Sequence, residues 1–142
     1  MNIYIASDHR GFDLKEEVID YLKDENIVDL GPLEYNHDDD YPIFAHIVSK
    51  SVLENPGSFG ILICDTGLGM DMTANKYKGI RAALCTDSFF AYRARLHNDA
   101  NILVLSAEYD RIDFREIVKM FFSTQPSDEL RHKRRVKEID IL

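Results

Sequence analysis

The 142 residues are enough to bury roughly two-thirds of the surface their unfolded chain exposes, so folding needs no disulfide staple or structural metal. A formal net charge of -8 argues against broad attraction to nucleic acid or an anionic membrane, so an anionic ligand must be caught by a local positive site. Two cysteines make no disulfide framework, and "MNIYIASDHRG" meets a charge too early for a signal peptide or membrane span; the expectation is one domain over 1–142 in a reducing cytoplasm.

"NIYIAS" (2–7) reads as a buried strand. "DLKEEVIDYLKDE" follows, with Leu14, Val18, Tyr21 and Leu22 at helical spacing. "NIVDLG" (26–31) is a second strand, closed by Gly31 and Pro32, and "HDDD" (37–40) is an acidic loop. A helix opens at Pro42, with Phe44, Ile47, Val48 and Val52 on one face. "FGILIC" (59–64) is the third and most hydrophobic strand, and "GIRAALC" (79–85) the fourth. "SFFAYRARLHND" (88–99) is a helix and "NILVLS" (101–106) the fifth strand. In "DFREIVKMFF" (113–122), Phe114, Ile117, Val118, Phe121 and Phe122 make a clear helical stripe, and a last polar helix covers about 128–139. Strands alternating with helices predict a three-layer, Rossmann-like α/β fold with a five-stranded parallel sheet and a C-terminal helix. Right-handed crossovers place every strand's C-terminal end on one sheet edge, where ligands bind.

"ILICDTGLGMD" (61–71) runs a buried strand into a Gly-x-Gly turn and then a helix. Gly67 and Gly69 free backbone N–H groups for a phosphate or a transient oxyanion. It is no dinucleotide fingerprint, because the third glycine is missing, and no Walker loop, because Gly-Lys-Ser/Thr is absent. Cys64 at the mouth has two readings: a small hydrophobe ending a strand, the commoner case for a lone cysteine, or a reactive thiolate whose pKa the N–H groups lower. Cys85, at a strand end without such a loop, reads as structural.

Asp8 and His9 end the first strand as a helix cap plus surface histidine, or as site residues. His97 and Asn98 stand where the fourth helix stops, a place that suits a histidine by dipole alone. Arg131 and Arg135 share a helix face and suit either a phosphate or plain solvation, with Arg134 and Glu138 pairing alongside. The five histidines have no metal-ligand spacing, and no Gly-x-Ser-x-Gly elbow is present.

Taken together, "SDHRGFDLKE" (7–16), "DYP" (40–42), "GILIC-TG-GM---ANK--GIRAAL" (60–84), "HNDAN-L" (97–103) and "RH--RV" (131–136) make the sequence resemble the type B ribose-5-phosphate isomerases, nearly end to end. That family includes the galactose-6-phosphate isomerase subunits. The resemblance implies aldose–ketose isomerisation of a phosphorylated sugar without metal or other cofactor, in a homodimer or tetramer whose active sites are shared between subunits. It implies Cys64 as the base, Thr66 and the backbone from Asp65 through Gly67 and Leu68 to Gly69 as the enediolate cradle, and His97 for ring opening. Asp8, His9, Tyr41 and Asn98 would position hydroxyls and phosphate, and Arg131 and Arg135 would bind the phosphate. Ribose 5-phosphate is the expected substrate; the alternatives are a hexose 6-phosphate (allose or galactose) and a degenerate, non-catalytic binding subunit.

Three positions depart from the family pattern: Asp65 for glycine, Asp71 for serine, and Glu108 for a phosphate-binding arginine. Asp71 is expected to complement a helix N-terminus, and Asp65 to offer only its N–H. Glu108 is expected to face solvent or Arg111, and Arg10 to supply a replacement cation.

Overall fold

The computed structural model describes residues 1–108 and 113–141. β1 (Asn2–Ser7), β2 (Asn26–Asp29), β3 (Phe59–Cys64), β4 (Ala82–Leu84) and β5 (Ile102–Ser106) form one sheet in the order β2-β1-β3-β5-β4. Every pairing is parallel. Between and after the strands come α1 (Phe12–Tyr21), α2 (Tyr41–Glu54), α3 (Leu68–Ala74), α4 (Ser88–Asn98), α5 (Phe114–Ser123) and α6 (Leu130–Ile139). This is the expected three-layer arrangement.

Strand alternation divides the core in two. Ile3, Ile5, Ile61 and Ile63 point to one face, where Val18 of α1, Ala91 and Ala94 of α4, and Ile117, Val118 and Phe121 of α5 cover them. Tyr4, Ala6, Leu62 and Cys64 point to the other, under Ala45, Val48 and Val52 of α2 and Met70 and Ala74 of α3. Both faces of the central strands are thus dry, which is why β1, β3 and β5 read as unbroken apolar runs. Cys64 and Cys85 lie on opposite faces.

The structure moves several boundaries and one face, and β2 ends at Asp29 rather than 31. β4 begins at Ala82 rather than 79, because Gly79 takes φ 88° and the Arg81 N–H donates to the Asn101 side chain at 2.8 Å. On the outer edge of β4, Asn75 of the α3 C-cap pairs with Ala82 through two 2.9 Å bonds, as a neighbouring strand would. The buried face of α2 is Ala45, Val48, Ser49 and Val52, leaving Ile47 exposed. The last helix starts at Leu130, two residues late; the Glu129 N–H ahead of it is taken by the Ser127 hydroxyl at 3.1 Å.

Lys15 is fully buried in α1, a placement the helical reading did not foresee. Its ammonium donates to Asp29 at 2.7 Å and to the Pro32 carbonyl at 2.8 Å. The pair ties β2, and the start of the loop after it, to α1.

Candidate active site

Cys64 closes β3 at the C-terminal edge of the sheet, buried, with its Sγ accepting the Gly67 N–H at 3.2 Å. Gly67 holds φ 85°, ψ -17°, a left-handed turn open to glycine, and this turn swings the N–H back onto the thiol. A side chain on Gly69 would overlap the Tyr41 ring, so the second glycine lets Tyr41 lie against the loop. Thr66 is exposed, and its hydroxyl accepts the Leu68 N–H at 3.3 Å. The expectation of a lowered thiol pKa does not hold. Burial pushes Cys64 up and outweighs the Gly67 and Met70 N–H groups, while the charges of Asp8 and Asp65 add to the rise. The resting form is a thiol with two N–H groups ready to hold its anion.

Asp8 and His9 follow β1 at the same edge. The Asp8 carboxylate accepts the Gly11 N–H at 3.0 Å in the turn before α1, whose N-cap is Gly11 without a side-chain cap; burial raises the Asp8 pKa, against the pull of that N–H and of His9. His9 is gripped by Asp39, whose Oδ1 accepts the His9 backbone N–H at 3.1 Å and pairs with its ring Nδ1 at 2.7 Å. Asp8, His9 and Asp39 are the one group among the described residues with three metal-type donors within 4.8 Å of one another. Within this group Asp39 Oδ1 and His9 Nδ1 are spent on each other and Asp8 Oδ1 on the Gly11 N–H.

His97 and Asn98 lie elsewhere. α4 runs back across the sheet, so its last turn precedes β5, whose first residue pairs with Gly60 at the start of β3; Cys64 pairs with Ser106 at the far end. The four rises from the Gly60 register to the Cys64 register, at about 3.3 Å each, put the two edges roughly 13 Å apart. At this second corner the His97 ring stacks on His132 of α6 at 4.3 Å between centroids, and Arg93 approaches His97 Nε2 to 2.9 Å. Contact with these neighbours, then the positive charge of His132, Arg93 and Arg131, lowers the His97 pKa; Glu129 opposes them. Arg131 and Arg135 are exposed on α6 beside it, with Arg131 Nε donating to Glu129 at 2.6 Å. The corner is braced from below. Arg81 donates to Asp140 at 2.6 Å and to the Asp99 carbonyl at 2.9 Å, and Arg95 donates to the Asp99 carboxylate at 2.8 Å. Asp99 itself takes φ 47°, ending α4.

Comparison with known proteins decides the family. Residues 3–139 match the Ribose/Galactose Isomerase family. The chain belongs to this family. It is 43% identical, over 97% of its length and 93% of the relative's, to a probable ribose-5-phosphate isomerase B of Mycoplasma genitalium. A crystal structure of ribose-5-phosphate isomerase B from Mycoplasma genitalium with bound ribulose-5-phosphate superposes with TM-score 0.92 at 42% identity, covering 99% of this chain and 94% of that one. A ribose 5-phosphate isomerase structure from Thermotoga maritima gives TM-score 0.91 at 47% identity, covering 99% and 98%.

As a member of the Ribose/Galactose Isomerase family, the chain stands out for its acids. Asp71 lies in the first turn of α3, but its carboxylate turns to the β4 edge, where the Leu84 N–H reaches it, and burial raises its pKa. Its place in the first turn is the one expected of an acid at a helix N-terminus. The Asp65 carbonyl accepts from the Ser106 hydroxyl at 2.7 Å and the Glu108 N–H at 2.9 Å, tying the loop to β5. Glu108 is exposed, while Arg111 lies outside the described residues. Arg10 is exposed and lines a cavity of about 610 Å³ with Thr86, Ser106 and Ala107, on the Cys85 side of the sheet rather than at Cys64. Asp39, Asn75 and Lys15 escaped the sequence reading, since each owes its role to a partner 7 to 30 positions away. Lys15 alone left a trace: it falls three before Val18, on the buried stripe of α1.

Proposed function

We propose that the chain, as one domain over 1–142, interconverts ribose 5-phosphate and ribulose 5-phosphate through an enediolate. The observation that carries this reading is the Cys64 sulfur facing the Gly67 N–H at the edge of the sheet, in a chain of this family. The Cys64 thiolate takes the proton from C2 of the open aldose; the electron pair left behind forms the C1–C2 double bond and puts negative charge on the carbonyl oxygen. That charge falls to Thr66 and the loop backbone from Asp65 to Gly69. A proton reaches O1, the O2 proton leaves, and the thiol returns its own proton to C1, giving the ketose. A thiol with a raised pKa is a strong base once ionised, which suits a weakly acidic C–H.

His97 opens the furanose ring: as a neutral imidazole it takes the anomeric hydroxyl proton, the C1–O4 bond breaks as the C1 carbonyl forms, and the imidazolium returns the proton to O4. The lowered pKa of His97 keeps the resting imidazole neutral at neutral pH. Arg131 and Arg135 bind the phosphate, and Asp8, His9, Tyr41 and Asn98 position the sugar. Because His97 and Cys64 sit at opposite sheet edges, they come from two protomers of a dimer or larger assembly. The outer face of α2 and α3, above Cys64, leaves Ile43, Ile47, Leu68 and Met72 exposed, an apolar surface suited to that contact. No helix among the described residues is long and apolar enough to cross a membrane.

A coupled isomerase assay with ribose 5-phosphate, allose 6-phosphate and galactose 6-phosphate tests this. The expected result is turnover of the pentose with the highest kcat/KM. Preference for a hexose 6-phosphate would change the substrate, and no turnover of any of the three would replace the enzyme with a binding subunit.

A further inference from the structure

The acidic loop "HDDD" gives its three aspartates different fates. Asp38 is exposed beside His37, and Asp40 precedes α2 without capping it. Asp39 alone turns inward, its side chain only 8% exposed. Its Oδ1 takes both the backbone N–H and the ring Nδ1 of His9, and its Oδ2 is buried with no partner. A buried carboxylate is costly unless its hydrogen bonds are made. Here every bond it makes among the described residues goes to His9.

We propose that Asp39 is a positioning residue for His9, fixing Nδ1 as the inward donor and presenting Nε2 to the sugar phosphate. The inference rests on the reading that His9 lines the substrate site. Two bonds to one carboxylate oxygen fix both the backbone at residue 9 and the rotation of its ring. A ring turned by half a revolution would place a carbon against Oδ1 and lose the 2.7 Å contact. Nε2 bonds no described residue, and the side chain stays 23% exposed, with its other face edge-on to Tyr35. The tautomer is therefore set from behind by Asp39, the role a carboxylate plays behind many functional histidines. Asp8 is close to His9 as well, but its Oδ1 accepts the Gly11 N–H and it makes no hydrogen bond to the His9 ring.

The test uses the full-length enzyme with ribose 5-phosphate. Asp39→Ala should raise KM about tenfold, the scale of one lost charge-assisted hydrogen bond, with a smaller fall in kcat. Long-range proton–nitrogen NMR should show Nδ1 as the protonated nitrogen of the neutral His9 ring in the native enzyme and lose that preference in Asp39→Ala. In a His9→Asn background, Asp39→Ala should add nothing further to KM. Asp39→Asn, which keeps an acceptor oxygen, should hold the tautomer and raise KM only a few-fold; it decides the matter if the alanine variant fails to fold. The proposal is overturned if either Asp39 variant leaves KM unchanged while His9→Asn raises it, or if Asp39→Ala leaves the His9 tautomer as it was. If His9→Asn itself leaves KM unchanged while ribose 5-phosphate is still turned over, His9 is not in the substrate site. That also overturns the proposal, yet it leaves the isomerase reading standing.

Discussion

The two corners of the molecule that carry its chemistry are opposites. At the C-terminal edge of the sheet, a buried thiol sits among backbone N–H groups and carboxylates, and its environment holds it protonated. At the N-terminal edge, a half-exposed histidine sits among arginines, and its environment holds it neutral. One corner offers backbone N–H groups that can stabilise a developing oxyanion. The other can hold a phosphate but has no carbon base. Within one protomer the sheet keeps the two corners roughly 13 Å apart. The lesson is that one fold can hold a thiol protonated at one sheet edge and an imidazole neutral at the other, because burial governs the first and neighbouring charge adds to the second.

The largest expected effect falls on the thiol corner. Cys64→Ala should cut kcat by roughly 10²–10⁴-fold, the scale of a lost general base, with Tm close to the parent's. Near-normal turnover would show that the buried thiol is only core packing.

At the cationic corner, Arg135→Ala should raise KM by about tenfold or more, and by more than Arg131→Ala does. Arg131 is already paired with Glu129 at 2.6 Å, whereas Arg135 has no ion pair among the described residues. Steady-state kinetics of both variants measure the difference; equal KM values would mean that the Glu129 pair does not compete with the ligand.

The contrast in protonation shapes the pH profile. His97 must be neutral to accept a proton, and its pKa is lowered, so the acid limb of kcat/KM should have its midpoint below the ordinary histidine value of 6.5. Removing one of the charges that lower it, in Arg93→Leu, should move that midpoint up. On the alkaline side, activity should still be climbing as pH approaches 9.0, the ordinary thiol value, because Cys64 lies above it. A plateau reached near neutrality would contradict the buried-thiol description.

The smallest effect concerns what holds the corners in place. Asn75→Ala should cost about 0.5–1.5 kcal/mol for each hydrogen bond lost at the free edge of β4, read as a lower midpoint in urea, with kcat little changed.

Much of this was legible in the sequence. The apolar runs gave all five strands because both sheet faces are covered, and in the α5 stripe Phe114, Ile117, Val118 and Phe121 are buried while Phe122 is only partly so. Strand ends marked the edge where Cys64, Asp8 and His9 gather. The inward turn of Asp39, the Asn75 contact with β4 and the burial of Lys15 were not legible, because each depends on side-chain partners that only tertiary packing brings together. The direction of the Cys64 shift was misjudged for a related reason. The glycine loop advertises N–H groups that favour the anion, while the burial that outweighs them comes from α2 and α3 closing over the strand.

The central claim is that one protomer's Cys64 works with another's His97. The direct measurement is complementation: Cys64→Ala and His97→Asn proteins, each nearly inactive, are unfolded together, refolded as an equal mixture and assayed for ribose 5-phosphate isomerisation. Random pairing makes half the dimers mixed, and each mixed dimer carries one intact site in two, so activity should return to about a quarter of the native enzyme's. Activity no greater than the sum of the two parents, with mixed dimers demonstrated by differential tagging, would place the whole site within a single chain and contradict the account.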